Sequence, residues 1–193
     1  MDIIEMKIKL KESLNEARYI HSINVMEEAE KLALHYKVDA EKAKIAGLLH
    51  DCAKNVSKTE EDALIKKYGI VTDDIQKQSR ALIHSILGVY IAREEYGVTD
   101  EEILNAIYWH TTGRAGMTML EKIIFVADYI EPGRDFEVAR KVRELAYEDL
   151  DKSILICADS TIMYLINKGK IIHPYTLETR NDAILTLSRK GIL

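Results

Sequence analysis

Proline is nearly absent from this chain, and that scarcity restricts the possible folds more than any other sequence feature. Only two prolines occur in 193 residues, Pro132 and Pro174, and strong helix formers dominate between them. Such a composition favours helices throughout. No run of alternating β-branched residues is long enough to predict a strand. We therefore predict an all-α fold, built as a single domain over residues 1–193.

Capping residues and the helical spacing of apolar residues divide the chain into helices. Asn15, Asp39, Ser57, Thr99 and Thr176 are the predicted N-caps, and Ser57 and Thr99 each begin a capping box with a glutamate three residues later. The predicted helices cover residues 3–14, 16–36, 40–51, 58–69, 73–78, 81–96, 100–110, 117–130, 136–149, 152–168 and 177–190.

The composition argues against several partners and locations. A formal net charge of -5 disfavours broad binding to nucleic acid or to a membrane, because both need a cationic surface. No apolar stretch approaches the roughly 20 residues that span a bilayer, and the first residues do not resemble a signal peptide. The two cysteines indicate a reducing compartment, and Cys52 is interpreted as a small buried apolar side chain rather than a thiolate ligand. We predict a cytoplasmic protein.

Two aspartates interrupt apolar helical pattern. Asp51 follows His50 directly after an apolar run, and Asp128 follows the apolar segment 123–127. A buried carboxylate costs several kcal/mol unless another group compensates its charge. For Asp128, one interpretation is an ion pair with a nearby arginine or lysine. The other is a metal ion, because carboxylates and imidazoles together bind divalent cations.

Four of the six histidines also interrupt apolar pattern, namely His21, His50, His84 and His110. A small residue lies about one turn before each of them, which leaves room for a group bound against the helix surface. Taken singly, each histidine is more often a hydrogen-bonded core residue than a metal ligand. Taken as a series with the two aspartates, they indicate a metal site within the helical core.

Cationic side chains accompany the candidate ligands. Arg18 lies three residues before His21, and Lys54 lies four residues after His50, so each shares a helix face with a candidate ligand. A purely structural metal has little use for neighbouring cations, whereas a phosphate bound to the metal would be neutralised by them. The alternative for each is a solvated surface charge. The paired placement favours a phosphate-containing ligand.

Five segments of the chain resemble one known family. They are Ala-Gly-Leu-Leu-His-Asp-Cys-Ala-Lys at 46–54, Ile-His-Ser at 83–85, Tyr-Trp-His-Thr-Thr-Gly at 108–113, Phe-Val-Ala-Asp-Tyr-Ile-Glu-Pro-Gly-Arg at 125–134 and His-Pro-Tyr-Thr-Leu-Glu-Thr-Arg-Asn at 173–181. With the ordered histidine and aspartate series, these motifs are similar to the YqeK family of HD-domain phosphohydrolases. The resemblance covers nearly the full chain, although the family pattern commonly has aspartate where this chain has Tyr175.

The resemblance implies a function and a set of site residues. Members of the family are symmetrical dinucleoside polyphosphate hydrolases that split diadenosine tetraphosphate into two ADP molecules and carry iron. By position, the metal ligands would be His21, His50, Asp51 and Asp128, and the catalytic residues Asp51, Lys54, His84 and His110. The implied substrate-binding residues are Arg18, Asp51, Lys54, His84, His110 and Arg134, together with His173, Pro174, Tyr175, Thr176, Arg180 and Asn181 of the C-terminal segment.

Several alternatives stay open at the level of the sequence. A bound metal would lower the pKa of its water from about 15.7 to about 7, which would provide a metal-bound hydroxide as nucleophile. His84 and His110 would either donate protons or ligate a second metal with Asp51 as the bridge. Iron is implied, but manganese, cobalt, nickel or zinc also suits these ligands. The substrate could be another nucleotide, or the domain could bind nucleotides without turnover, and a homodimer is compatible with the sequence.

Overall fold

The computed structural model is built of helices, which make up most of the chain. It describes residues 1–192 without the side chain of Arg80, so the last residue of the predicted domain, Leu193, lies outside the described residues. Helices in this described part are α1 Ile3–Ser13, α2 Glu16–Tyr36, α3 Ala40–Leu49, α4 Lys58–Tyr68, α5 Asp74–Lys77, α6 Arg80–Tyr96, α7 Glu101–Trp109, α8 Met119–Ile130, α9 Glu137–Leu145, α10 Leu150–Asn167 and α11 Pro174–Arg189. Residues 1–192 contain no strand, as the sequence predicts.

Two predicted N-caps are wrong. Helix α7 is capped by Asp100 rather than Thr99, because the Asp100 carboxylate accepts hydrogen bonds from the amides of Glu102 and Ile103. Helix α11 begins three residues earlier than predicted, since His173 is the N-cap and Pro174 takes the first helical position. Proline suits that position because its missing N–H would have had no partner within the helix.

The boundary between α9 and α10 also differs from the prediction. Helix α9 ends at Leu145 instead of residue 149, and α10 begins at Leu150 instead of residue 152. Asp149 causes the earlier start, because its side chain caps α10 by accepting a hydrogen bond from the amide of Lys152. Helix α8 begins at Met119 rather than residue 117, behind a capping box that Thr118 forms with Glu121.

Helices α2, α3, α7 and α8 pack around one core, with α6 against α7 and α10 against α8 and α11. The approach of α3 to α2 requires the glycine at position 47. A Cβ there would lie 2.9 Å from the Cα of Met26 and 3.1 Å from the carbonyl oxygen of Val25. This close contact brings the C-terminal end of α3, where His50 lies, against the His21 face of α2.

None of the helices described above has the length and the apolar character needed to cross a lipid bilayer.

Candidate metal centre

Six histidine and aspartate side chains from five helical segments meet in the core, and we call them the His/Asp cluster. Helices α2, α6 and α8 carry His21, His84 and Asp128, while the ends of α3 and α7 carry the other three. The cluster consists of His21, His50, Asp51, His84, His110 and Asp128. All but Asp128 are buried, and the Asp128 side chain is 24% exposed. The structure therefore brings together every metal ligand and catalytic histidine that the sequence predicts.

The first part of the cluster, the Asp128 half, consists of His21, His50, Asp51 and Asp128. His21 Nε2 lies 3.2 Å from His50 Nε2 and 3.1 Å from Asp128 Oδ1. Asp51 Oδ2 lies 3.6 Å from His50 Nε2 and 3.8 Å from His21 Nε2. Two atoms that each lie about 2.1 Å from one ion are at most about 4.2 Å apart. The five distances that involve a histidine nitrogen, 3.1–3.9 Å, satisfy that condition.

Hydrogen bonds on the far side of each ring fix how the histidines face the centre. His50 Nδ1–H donates to the carbonyl oxygen of Gly47 at 2.7 Å, and His21 Nδ1–H donates to the carboxylate of Glu131 at 3.1 Å. A carbonyl or carboxylate oxygen only accepts, so the proton belongs on Nδ1 and the Nε2 atoms point at the centre. Metal-binding histidines in proteins are oriented in this way.

The second part, the His84 half, consists of Asp51, His84 and His110. His84 Nε2 lies 3.0 Å from both His110 Nε2 and Asp51 Oδ1, and His110 Nε2 lies 3.7 Å from that same oxygen. His110 Nδ1–H donates to the carbonyl oxygen of Ile107 at 2.6 Å, and the Thr111 hydroxyl lies 3.1 Å from His110 Nε2. Asp51 thus contributes one carboxylate oxygen to each half.

Two observations indicate that divalent cations fit this cluster. Asp51 Oδ1 is buried and accepts no hydrogen bond of good geometry from the described residues, although His84 Nε2 lies 3.0 Å and Lys54 Nζ 3.4 Å away. His50 Nε2 and His21 Nε2 face each other at 3.2 Å, and the Nδ1 partner of each ring places the lone pairs opposite one another. Such a contact is unfavourable unless a proton or a metal ion lies between the two nitrogens. The donor set therefore suits divalent metal ions.

Burial and neighbouring groups shift the pKa values of the ionisable side chains in the cluster. Burial lowers the pKa of His50 to about 3 and that of His84 to about 4, so both are neutral at pH 7. Burial also opposes protonation of His21, but the hydrogen bonds to Asp128 and Glu131 outweigh it and raise its pKa. The pKa of Asp51 lies well below the ordinary value, because His50, His110 and His84 outweigh the cost of burial. Its carboxylate is ionised and available as a ligand.

The predicted cations surround the cluster. Arg18 Nη1 lies 2.7 Å from Asp51 Oδ2, and Arg134 Nη2 lies 2.9 Å from Asp128 Oδ1. Both line a channel of about 380 Å³ that leads to His21. Lys54 Nζ lies 3.1 Å from His84 Nε2 and lines a separate cavity of about 260 Å³. Each of these three side chains contacts a member of the cluster, and each stays partly exposed, at 30–39%.

The C-terminal segment 173–181 is not brought into the cluster. His173 hydrogen-bonds Asp73, the Thr179 hydroxyl donates to the carbonyl oxygen of Thr112, and Arg180 pairs with Asp159. Thr176 is buried, while Pro174 and Asn181 are exposed and the Tyr175 ring packs edge-to-face on Trp109. Within residues 1–192, none of these side chains hydrogen-bonds or ion-pairs with the cluster. The segment instead packs behind the loop that follows His110.

Sequence reasoning missed Glu131. Its carboxylate accepts hydrogen bonds from His21 Nδ1 at 3.1 Å and from Asn24 Nδ2 at 2.9 Å, and it is 3% exposed. Its pKa is lowered, because the hydrogen bonds from His21, Gly133 and Asn24 outweigh burial. A signal did exist, since Glu131 lies three residues after Asp128 and directly before Pro132.

The cluster lies within a segment that matches a protein-family model. Residues 18–133 match the model described as "HD domain", and all six cluster residues fall inside the match. This chain belongs to the HD domain family. The predicted all-α HD-domain fold is confirmed by this match and by the helical structure.

Sequence identity to named relatives places this chain more precisely within the HD family. The chain is 45% identical to a protein of Halalkalibacterium halodurans named "Bis(5'-nucleosyl)-tetraphosphatase, symmetrical", over 91% of this chain and 94% of the relative. It is 40% identical to a protein of the same name from Staphylococcus aureus, over 94% of each. These matches confirm the predicted membership of the YqeK family of HD-domain proteins.

A solved structure shows the same fold. It is that of a predicted HD superfamily hydrolase, described as involved in NAD metabolism, from Clostridium acetobutylicum. The TM-score is 0.92 at 42% sequence identity, with 96% of this chain and 98% of the other covered.

Proposed function

We propose that this protein hydrolyses dinucleoside tetraphosphates symmetrically, converting diadenosine tetraphosphate and water into two molecules of ADP. The observation that carries the proposal is the 40–45% identity, over nearly the full length, to proteins named symmetrical bis(5'-nucleosyl)-tetraphosphatase. The complete His/Asp cluster supports catalysis rather than binding without turnover.

The proposed metal ligands divide into the two halves of the cluster. His21, His50, Asp51 and Asp128 would hold one divalent ion, and Asp51, His84 and His110 a second one, with Asp51 shared. Iron is the proposed metal, and manganese, cobalt, nickel and zinc are alternatives of similar ligand preference. Bound in this way, divalent ions would supply Lewis acidity toward the phosphoryl oxygens and would acidify a water molecule.

The protein side chains would bind, orient and neutralise the tetraphosphate. Arg18, Lys54 and Arg134 are placed to balance the negative charge that develops on the phosphoryl oxygens. Their contacts with Asp51, His84 and Asp128 hold them at the edge of the cluster before substrate enters. Cleavage of the central phosphoanhydride is consistent with cations on both sides of the cluster, since each would hold one diphosphate half.

Roles for His84 and His110 follow from their hydrogen bonds. Because a neutral His110 ring that donates Nδ1–H to Ile107 has a free lone pair on Nε2, that atom would accept a hydrogen bond from the Thr111 hydroxyl, or from His84 Nε2 when His84 carries a proton there. In the absence of a second metal, this pair would hold a proton 3.0 Å from Asp51 Oδ1 and deliver it to a phosphate oxygen.

The C-terminal segment and the cellular setting complete the proposal. Residues 173–181 would contact one nucleoside of the substrate, within a single domain that spans residues 1–193. A cytoplasmic location agrees with two buried free cysteines. A homodimer would be detected by light scattering of the eluting peak in size-exclusion chromatography.

Product analysis tests the proposed function. Purified protein loaded with Fe²⁺ or Mn²⁺ should convert diadenosine tetraphosphate to ADP alone, at two ADP per substrate consumed, as resolved by ion-exchange chromatography. ATP with AMP in equal amounts, or no product with any of the five metals, would contradict the proposal. The substrate panel should include a nucleoside triphosphate, a cyclic dinucleotide and a nucleoside monophosphate. It should also include NAD, because the Clostridium acetobutylicum protein is described as involved in NAD metabolism.

A further inference from the structure

A further cavity lies beside the channel that leads to His21, since Arg134 lines both. It has a volume of about 440 Å³ and is lined by Tyr129, Arg134, Phe136, Ser160, Thr161 and Tyr164, which we call the aromatic cleft. Small-molecule pockets in proteins are commonly about 300–1,000 Å³ and largely apolar, with a few polar groups that orient the ligand. The aromatic cleft has both properties.

We propose that the aromatic cleft binds the purine base of one of the two nucleosides of the substrate. The proposal rests on the proposed function and adds to it the site that recognises the nucleoside. Bases bind to proteins by stacking on aromatic rings and by hydrogen bonds along their edges. The cleft offers groups for both interactions.

Two exposed aromatic rings stand at the cleft. Phe136 is 40% exposed and Tyr164 is 54% exposed. The Phe136 ring packs edge-to-face on Tyr129, with centroids 5.3 Å apart, which fixes its orientation. A flat ring entering between α8 and α10 would cover apolar surface that is otherwise in contact with water.

Phe136 is an unusual residue for its position in the backbone. It is the N-cap of α9 and forms no capping hydrogen bond. Serine, threonine, aspartate and asparagine are favoured there because their side chains bond the free amides of the first turn. A residue that weakens local structure needs a compensating role elsewhere, and contact with a ligand is such a role.

The inner wall of the cleft contains an unpartnered hydroxyl. Tyr129 Oη is buried and makes no hydrogen bond of good geometry with the described residues, although the Ser160 side chain is close enough to interact with it. A buried hydroxyl without a partner is costly. The ring nitrogens and exocyclic amine of a purine would provide the missing acceptor or donor, with Ser160 and Thr161 as further partners.

Arg134 connects the aromatic cleft to the His/Asp cluster. Its guanidinium hydrogen-bonds Asp128 Oδ1 at 2.9 Å, and the residue lines both the cleft and the channel to His21. A nucleotide with its base in the cleft would thus place its phosphates beside Arg134 and point them at the cluster. The cavity beside Lys54 is lined by no tyrosine, phenylalanine or tryptophan of the described residues, so the two bases would be held unequally.

Binding of ADP and of a diphosphate without a base separates base recognition from phosphate recognition. Metal-loaded wild type, Phe136→Ala and Tyr164→Ala are titrated with ADP and with methylenediphosphonate by calorimetry. We expect each substitution to weaken ADP binding roughly 10-fold, the scale of base stacking, and to leave methylenediphosphonate binding unchanged within twofold. Tyr164→Phe should bind ADP like wild type because it keeps the ring. Met163→Ala removes a neighbouring exposed side chain of α10 outside the cleft, and it should also behave like wild type.

The outcomes distinguish this proposal from the proposed function. Unchanged ADP binding in both alanine variants would overturn the cleft as a base site, even if wild type releases two ADP from diadenosine tetraphosphate. Equal losses for ADP and methylenediphosphonate, or no ADP binding by wild type, would overturn it as well. If wild type forms no ADP from diadenosine tetraphosphate but binds ADP in a Tyr164- and Phe136-dependent manner, the proposed function fails and the base site stands.

Discussion

The two halves of the His/Asp cluster share Asp51 but differ in what satisfies their polar groups. In the Asp128 half, the rings of His21 and His50 each donate Nδ1–H outward, to Glu131 and Gly47, and their Nε2 atoms meet at 3.2 Å. Only an added proton or a metal ion relieves that contact. In the His84 half, Lys54 Nζ lies 3.1 Å from His84 Nε2 and the Thr111 hydroxyl lies 3.1 Å from His110 Nε2, so protein donors can already satisfy both ring nitrogens there.

The two halves are therefore prepared for cations to unequal degrees. The Asp128 half has its ring orientations fixed by buried partners and has two carboxylates facing the same point. The His84 half has one carboxylate oxygen, Asp51 Oδ1, and a competing cation, Lys54, 3.1 Å from His84 Nε2. We therefore expect tighter metal binding in the Asp128 half.

Replacing the shared ligand should have the largest effect. Asp51→Asn removes the charge that both halves use, and loss of bound metal forfeits several kcal/mol of transition-state stabilisation. At about 1.36 kcal/mol per tenfold, kcat/KM for diadenosine tetraphosphate should fall roughly 10³-fold or more. Steady-state kinetics and metal analysis of the purified variant provide the measurement. If Asp51→Asn keeps both metals and more than a tenth of the activity, Asp51 does not join the two halves.

Changing the His84 half alone should have a smaller effect. His84→Ala should lower kcat by about 10²-fold, the scale of a lost proton donor or a lost second metal. The metal of the Asp128 half should remain bound, since none of its four ligands is changed. Elemental analysis of the variant measures this. Complete loss of metal would show that the halves form one inseparable site.

Replacing Glu131 tests the hydrogen bond that orients His21 in the Asp128 half. Glu131→Gln keeps the shape of the side chain but removes the charge that faces His21 Nδ1–H. Metal affinity should fall about 10- to 100-fold, as for other partners of metal-binding histidines. Competition with a fluorescent chelator measures the change. Glu121→Gln is the matched control, because Glu121 is a buried carboxylate paired with Arg114 outside the cluster, and its metal affinity should equal that of wild type. Equal affinities in the two variants would remove Glu131 from the metal site.

The metal-free protein should become less stable as the pH falls from about 6.5 to 4.5. The folded-state pKa values of His50 and His84, about 3 and about 4, lie below the ordinary value of 6.5. In this window the unfolded chain binds more protons than the folded one, so the free energy of unfolding increases with pH. The slope is up to about 1.4 kcal/mol per pH unit for each such proton.

The other groups of the cluster do not cancel this slope. The raised pKa of His21 contributes stability that is fully present below 6.5 and is lost only as pH rises through the folded-state pKa. The lowered pKa values of Asp51 and Asp128 contribute stability that is lost only as pH falls below the ordinary 3.8. Urea unfolding of EDTA-treated protein at several pH values tests the prediction. His84→Ala should show about half of the wild-type slope, and a flat wild-type profile would contradict it.

Features that one short segment determines were predictable from the sequence. The Ser57 capping box begins α4 as predicted, and Gly69 ends it with positive φ. The burial of His50 and Asp51 also followed from the apolar residues around them, because helical spacing decides which face meets the core. The helix boundaries near Asp149 and Pro174 were placed wrongly, since several nearby residues can cap a helix and packing selects one.

Contacts between helices were predictable for the His/Asp cluster, through the ordered motifs and the family resemblance, but not beyond it. Glu131 meets His21 and Asn24 across more than 100 residues of sequence, and its spacing from Asp128 marks Glu131 itself but not these two partners. The aromatic cleft likewise joins Tyr129, Phe136 and Tyr164 from three different helices or their caps. Single-sequence reasoning assigns such residues to core or surface, and only the packed structure shows that they face one cavity.

Metal titration of the metal-free protein separates the two halves of the cluster by their affinity. Calorimetric titration with Mn²⁺ should show two binding events per wild-type chain, and Asp128→Asn should lose the tighter one while its circular dichroism stays that of a folded helical protein. Retention of both events with unchanged affinity in Asp128→Asn would contradict the assignment of the Asp128 half as the principal metal site.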